Sequence, residues 1–93
     1  MTSTTSLAEG SDLVAKRMQA STGTSFPRHK ASVESVLVVT EGRCIVRYDT
    51  SQQELDAGDT VVIPPGEWHQ VEADPSFSAV HVMPRTIRFT FSA

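Results

Sequence analysis

The chain is poor in the residues that announce most specialised functions. It has one cysteine, Cys44, in 93 residues. No intrachain disulfide can form, and the disulfide-stapled secreted class is excluded. No apolar run approaches the length that crosses a bilayer, and Met1–Ser6 has neither the charged nor the apolar segment of a secretion signal. The expected location is therefore the cytoplasm, with no membrane partner. Positive charge is also scarce: eight Lys and Arg stand against eleven Asp and Glu, for a net charge of −3. The basic residues are scattered, so no field is offered to a phosphate backbone and nucleic acid is not an expected partner. Long amphipathic periods are missing as well, which argues against helices.

What remains is a β pattern. Hydrophobic residues make up 39% of the chain and charged residues 20%, enough apolar material for one compact domain. The expected organisation is a flexible polar N-terminal tail over residues 1–10 and a single domain over 11–93. Short β-rich runs are predicted near Asp12–Ala20, Val33–Thr40, Arg43–Asp49, Thr60–Ile63, Trp68–Glu72, Phe77–Met83 and Thr86–Phe91. Turn residues punctuate them at Thr22-Gly23, Glu41-Gly42, Asp56-Ala57-Gly58-Asp59, Pro64-Pro65-Gly66, Asp74-Pro75 and Pro84. About seven short strands at this spacing predict a sandwich or barrel.

If Glu41-Gly42 is a two-residue hairpin turn, Val39 faces Cys44, Leu37 faces Val46 and Ser35 faces Tyr48. One face is then apolar at its closed end and polar at Ser35 and Tyr48, as a barrel lining would be. These two are the candidate pocket-lining residues. The other face carries Val36, Val38 and Ile45, which a lone barrel would expose; a second sheet or a second subunit should cover it, and the expected assembly is a homodimer.

The densest signal is Gly58-Asp-Thr-Val-Val-Ile-Pro64-Pro65-Gly66-Glu-Trp-His69. A glycine turn leads into a buried strand, a Pro-Pro-Gly reversal follows, and His69 emerges at the start of the next strand. The segment fits G-x5-P-x-G-x2-H and resembles the second motif of the cupin superfamily. Upstream, Gly23, His29 and Gly42 match the first cupin motif, G-x5-H-x-H-x3,4-E-x6-G, while its second histidine position holds Ala31 and its glutamate position Ser35. Glu34 lies one residue early and by strand parity faces outward. The final Asn position of the second motif is Ala73. The resemblance covers residues 23–73 and implies an all-β, cupin-type double-stranded β-helix, a jelly-roll barrel.

The resemblance also implies a pocket that takes a small-molecule ligand and, in metal-bearing members, a divalent transition metal such as Zn, Fe, Mn or Ni held by histidines and a glutamate. Here His29 and His69 stand at matching positions. His81 is the candidate third ligand, or else a histidine at a subunit contact or on the sheet surface. Its strand alternates Phe77, Ala79, His81, Met83 against Ser78, Val80, Val82, and both sides are apolar enough to face inward. Cys44 reads as a small core residue and Trp68 as structural. Four functions stay open: a small-molecule-binding cupin, with or without a loosely held metal; a metal-dependent oxygenase or isomerase; a metal-free isomerase or lyase with a histidine base and Tyr48 as acid; and an assembly module.

Overall fold

The computed structural model describes residues 1–92. Eight strands account for its regular structure: β1 Thr2–Glu9, β2 Leu13–Ala20, β3 His29–Ala31, β4 Ser35–Tyr48, β5 Gln52–Asp56, β6 Thr60–Ile63, β7 His69–Pro84 and β8 Phe89–Phe91. No helix among the described residues is long and apolar enough to cross a membrane.

Two long strands organise the rest. The first half of β4 pairs with β6 and with the second half of β7, where Leu37 lies opposite Val61 and His81. Its second half pairs with β5 and with the first half of β7, where Val46 lies opposite Gln53 and Val71. Because β2 extends β7 at one end and β3 extends it at the other, the single hydrogen-bonded sheet creases into two layers. One runs β1-β2-β7-β4-β6 and the other β8-β3-β7-β4-β5. Strands that cross between sheets do so at bends and bulges, and the β4–β7 register slips at Val39/Glu41 and at Gly42/Cys44.

That crease revises the predicted hairpin. Glu41-Gly42 is no turn, and Val39 does not face Cys44 across a ladder: both lie on one continuous strand. The predicted faces nevertheless hold. Ser35, Leu37 and Val39 are buried before the bulge, Cys44 and Val46 after it, and Tyr48 packs against the same core. A bulge inserts one residue and so reverses strand parity, which leaves the same residues inward as a hairpin would. The segments expected at Trp68–Glu72 and Phe77–Met83 are likewise one strand, and Asp74-Pro75 sits inside it opposite the bulge, a place where a sheet tolerates proline.

Two further strands depart from the sequence expectation. Thr2–Glu9, within the segment 1–10 expected as a flexible tail, forms β1 along β2, from Thr2 opposite Ala20 to Glu9 opposite Val14. Threonine's branched β-carbon suits an exposed edge strand although it contributes nothing to the core. Gln52–Asp56 forms β5, which buries only Leu55.

The core between the layers is built on Leu37, Val39, Cys44, Val46 and Val71, all essentially without exposure. Cys44 is a core residue, as expected, and burial pushes its thiol up to about 11, far from a reactive thiolate. On the outer face, Ile45 is buried between Arg43 and Arg47. The first of these pairs with Glu54, Asp56 and Asp74, and the second with Glu72. Val36, Val38, Val80 and Val82 remain half-exposed there and Val62 exposed, with Val36 opposite both Val62 and Val82.

Candidate functional site

The second-motif segment positions His69 by steps that follow from its residues. Thr60–Ile63 docks on β4, with Ile63 opposite Ser35. The chain then reverses through Pro64-Pro65-Gly66. Gly66 adopts φ +75°, the left-handed region open to glycine at little cost, and its N–H donates to the Ala31 carbonyl at 2.8 Å. The reversal is thereby tied to β3, and the next strand begins with His69 directly opposite His29. The two imidazoles meet edge to face with ring centroids 4.4 Å apart.

Both rings are oriented by the backbone. His29 Nδ1 lies 2.8 Å from the Pro27 carbonyl and His69 Nδ1 lies 3.0 Å from the Glu67 carbonyl. A carbonyl only accepts, so each Nδ1 carries the proton and donates it. His69 is 2% exposed, and burial holds its pKa below the ordinary histidine value. The neutral ring therefore presents Nε2 as a bare lone pair.

His81 enters from the other layer. Of its two candidate orientations the inward one is realised: it is buried, and its Nε2 lies 2.7 Å from Ser35 Oγ. Burial first, then the neighbouring His29, His69 and Lys16, push its pKa down to about 4, so it too is neutral near pH 7.

The three histidines line one cavity of about 370 Å³ between the layers. Its remaining walls are mostly apolar, from Met18 on β2, Leu37 on β4, Ile63 on β6 and Val71 on β7, with Phe89 and Phe91 of β8 at the edge. Phe89 packs perpendicular to His29 at 5.2 Å between centroids. Thr2 and Thr4 of β1 and Lys16 of β2 supply further polar groups.

Two expectations about the lining are corrected. Ser35 is buried behind His81, holding that ring instead of facing the cavity. Tyr48 packs with its ring centroid 6.2 Å from His69 and lines a separate surface depression with Glu67 and Trp68. It stands opposite His69 across the β4–β7 pair, so the imidazole lies between it and His29. Trp68, expected to be structural, has the Arg28 guanidinium 4.6 Å and the Lys30 ammonium 5.0 Å from its ring centre. Glu34 is exposed, as parity required.

Sequence reasoning passed over Lys16, Met18, Phe26 and the β1 threonines. For Lys16 a signal was present: along β2 it shares a face with Val14, Met18 and Ala20, one ammonium on an otherwise apolar face.

The cupin domain family model matches residues 16–83, a span that takes in both paired histidines and the strands that carry them. The chain is a cupin. Solved structures repeat the architecture. An uncharacterised double-stranded β-helix protein from Klebsiella pneumoniae aligns over 99% of this chain and 84% of its own at 21% identity, with a TM-score of 0.86. A cupin-2 domain protein from Shewanella frigidimarina aligns over 89% and 80% at 26% identity, with a TM-score of 0.80. Salicylate 1,2-dioxygenase from Pseudoaminobacter salicylatoxidans, crystallised with gentisate, aligns over 88% of this chain but 24% of its own, at 18% identity and a TM-score of 0.78. No curated protein matches the sequence.

The metal that the cupin family implies can be tested against the donors present. Ala31 brings no ligand atom, Ser35 brings a hydroxyl that is already engaged, and the His81 Nε2 is the atom it engages. Two imidazoles without a carboxylate fall short of the three or more protein ligands that a resident first-row ion ordinarily takes. Among the described residues no three His, Cys, Asp or Glu side chains are gathered as a metal-holding group. The side chains of this cavity do not fit a resident metal.

Proposed function

We propose that this cupin binds a small, largely apolar molecule that carries a hydrogen-bond donor, without a resident metal. The observation that carries the reading is the backbone-fixed tautomer of His29 and His69. Both Nδ1 protons are committed to carbonyls, so each ring turns its other edge toward the cavity, and the neutral His69 offers an Nε2 lone pair there. A ligand hydroxyl or amino group satisfies it, and the apolar walls take up the rest of the molecule. The volume of about 370 Å³ lies at the lower end of small-molecule sites and suits a compact ligand.

Thermal unfolding in the presence of small hydroxylated or aminated apolar compounds tests this. A binder present at a hundred times its Kd raises stability by about 2.7 kcal/mol, which for a domain of this size moves the midpoint by roughly 10 °C or more. The shift disappears in His69→Phe, which keeps the bulk and removes the lone pair. Metal analysis of protein purified without a metal-binding tag gives a clearly substoichiometric content. Near one equivalent per chain, lost in both His29→Ala and His69→Ala, would replace this reading with a metal-dependent one.

A further inference from the structure

The cavity contains one charge that the protein does not answer. Lys16 occupies an inward position of β2, opposite His81 in register, and lines the cavity beside Met18. Four other cations have side-chain partners: Arg28 pairs with Asp49, Arg43 with three carboxylates, Arg47 with Glu72, and Lys30 lies over Trp68, whereas Arg17, Arg85 and Arg88 are exposed on the surface. Among the described residues Lys16 forms no ion pair, and no Asp or Glu lines the cavity. An ammonium half-buried against apolar walls loses hydration, and an anion arriving in the same space offsets that loss.

Building on the reading of the cavity as a binding site, we propose that its ligand is a small monocarboxylate whose acid group sits at Lys16 and whose hydroxyl or amino group sits at the His29–His69 pair. The two polar anchors stand on opposite layers, Lys16 on the β2 side and the histidine pair on the β3 side. A molecule bridging the gap has one end on each wall and its apolar body between Met18, Leu37, Ile63 and Phe89.

Charge balance selects carboxylate over phosphate. A single ammonium neutralises one negative charge. Phosphate sites are ordinarily built from helix N-termini, successive backbone N–H groups or arginine forks, and among the described residues neither helix nor arginine lines this cavity. Size sets the other limit. A dry cavity of about 150 Å³ encloses benzene, so about 370 Å³ takes one ring or a branched chain of similar bulk plus two polar substituents.

The test is calorimetric titration, at low ionic strength, of two hydroxy acids against their uncharged amides: mandelate with mandelamide, and hydroxyisocaproate with its amide. In the native protein at least one acid binds more tightly than its amide, by roughly tenfold to a hundredfold, the range of one charge-assisted hydrogen bond. Lys16→Met abolishes that preference by weakening the acid and not the amide, and Lys16→Arg restores most of it. Matching melting curves for the variants establish that the fold is retained. Equal affinity for acid and amide in the native protein, or an acid preference that survives in Lys16→Met, overturns the role of Lys16 and leaves the cavity reading standing. Failure of every acid and every amide to bind overturns both.

Discussion

Gly42→Ala should leave little folded protein. Gly42 lies at the crease of β4 with φ +70°, and a β-carbon there would stand 2.1 Å from the Ser76 carbonyl oxygen and 3.1 Å from the Phe77 α-carbon. Those atoms are backbone of β7 at the point where both long strands change layers, so they cannot yield without opening the β4–β7 ladder. The left-handed conformation alone costs a non-glycine residue about 1–3 kcal/mol, and forced overpacking costs a similar amount again. Native domains are stable by about 5–15 kcal/mol, and small ones bury proportionally less surface. We expect the thermal midpoint to fall by more than about 10 °C or the protein to be recovered unfolded. Gly66→Ala and Gly58→Ala are the controls. Both glycines have positive φ but open space where the β-carbon would go, so they should lose only the conformational part. A Gly42→Ala protein as stable as these controls would mean that the strands do not approach at the crease as described.

The second large effect is acid destabilisation through His81. In the unfolded chain its imidazole titrates near the ordinary value of 6.5, and in the folded protein burial lowers it to about 4. Between those values the unfolded chain holds a proton that the folded one does not. Stability therefore rises with pH through this window: it is complete above the unfolded value and is lost as pH falls toward the folded one. A depression of this size corresponds to about 3 kcal/mol at full effect, and His69, shifted in the same direction by burial, adds to it. Chemical denaturation from about pH 7.5 down to about pH 4.5 should show the loss, and His81→Gln should flatten its slope while lowering stability at the upper end. Parallel slopes for the native protein and His81→Gln would mean that His81 is solvated and not buried against Ser35.

How much of this was legible in the residues depended on whether a local rule was sufficient. Gly58 to His69 could be read almost completely, because a glycine turn, a four-residue buried strand and a Pro-Pro-Gly reversal each constrain the backbone locally, and together they fix where His69 emerges. The inward face of β4 was legible although its geometry was not. A hairpin and a bulge both reverse the inward parity, and Glu41-Gly42 suits either. Only the long strand β7, running alongside and bending at Asp74–Ser76, decides between them. The burial of His81 could not be read from its own strand, whose two faces are almost equally apolar; its partner Ser35 is 46 residues away in the chain. β1 was missed because its Thr and Ser residues form an edge that contributes pairing without core. Tyr48 was placed on the correct face but at the wrong depth, since parity gives a direction and says nothing of which ring stands in front.

The proposed function of this cupin rests on what the histidine pair presents to the cavity. Nitrogen-detected imidazole NMR of the uniformly labelled protein near pH 7 reads that directly. The geometry predicts that His29 and His69 both carry a proton at Nδ1 and that His69 is a neutral ring, with an Nε2 signal typical of a bare lone pair that moves when a hydroxyl- or amino-bearing ligand is added. A proton on Nε2 of His69, or a bare Nδ1 in either ring, would contradict the arrangement on which the proposed binding site depends.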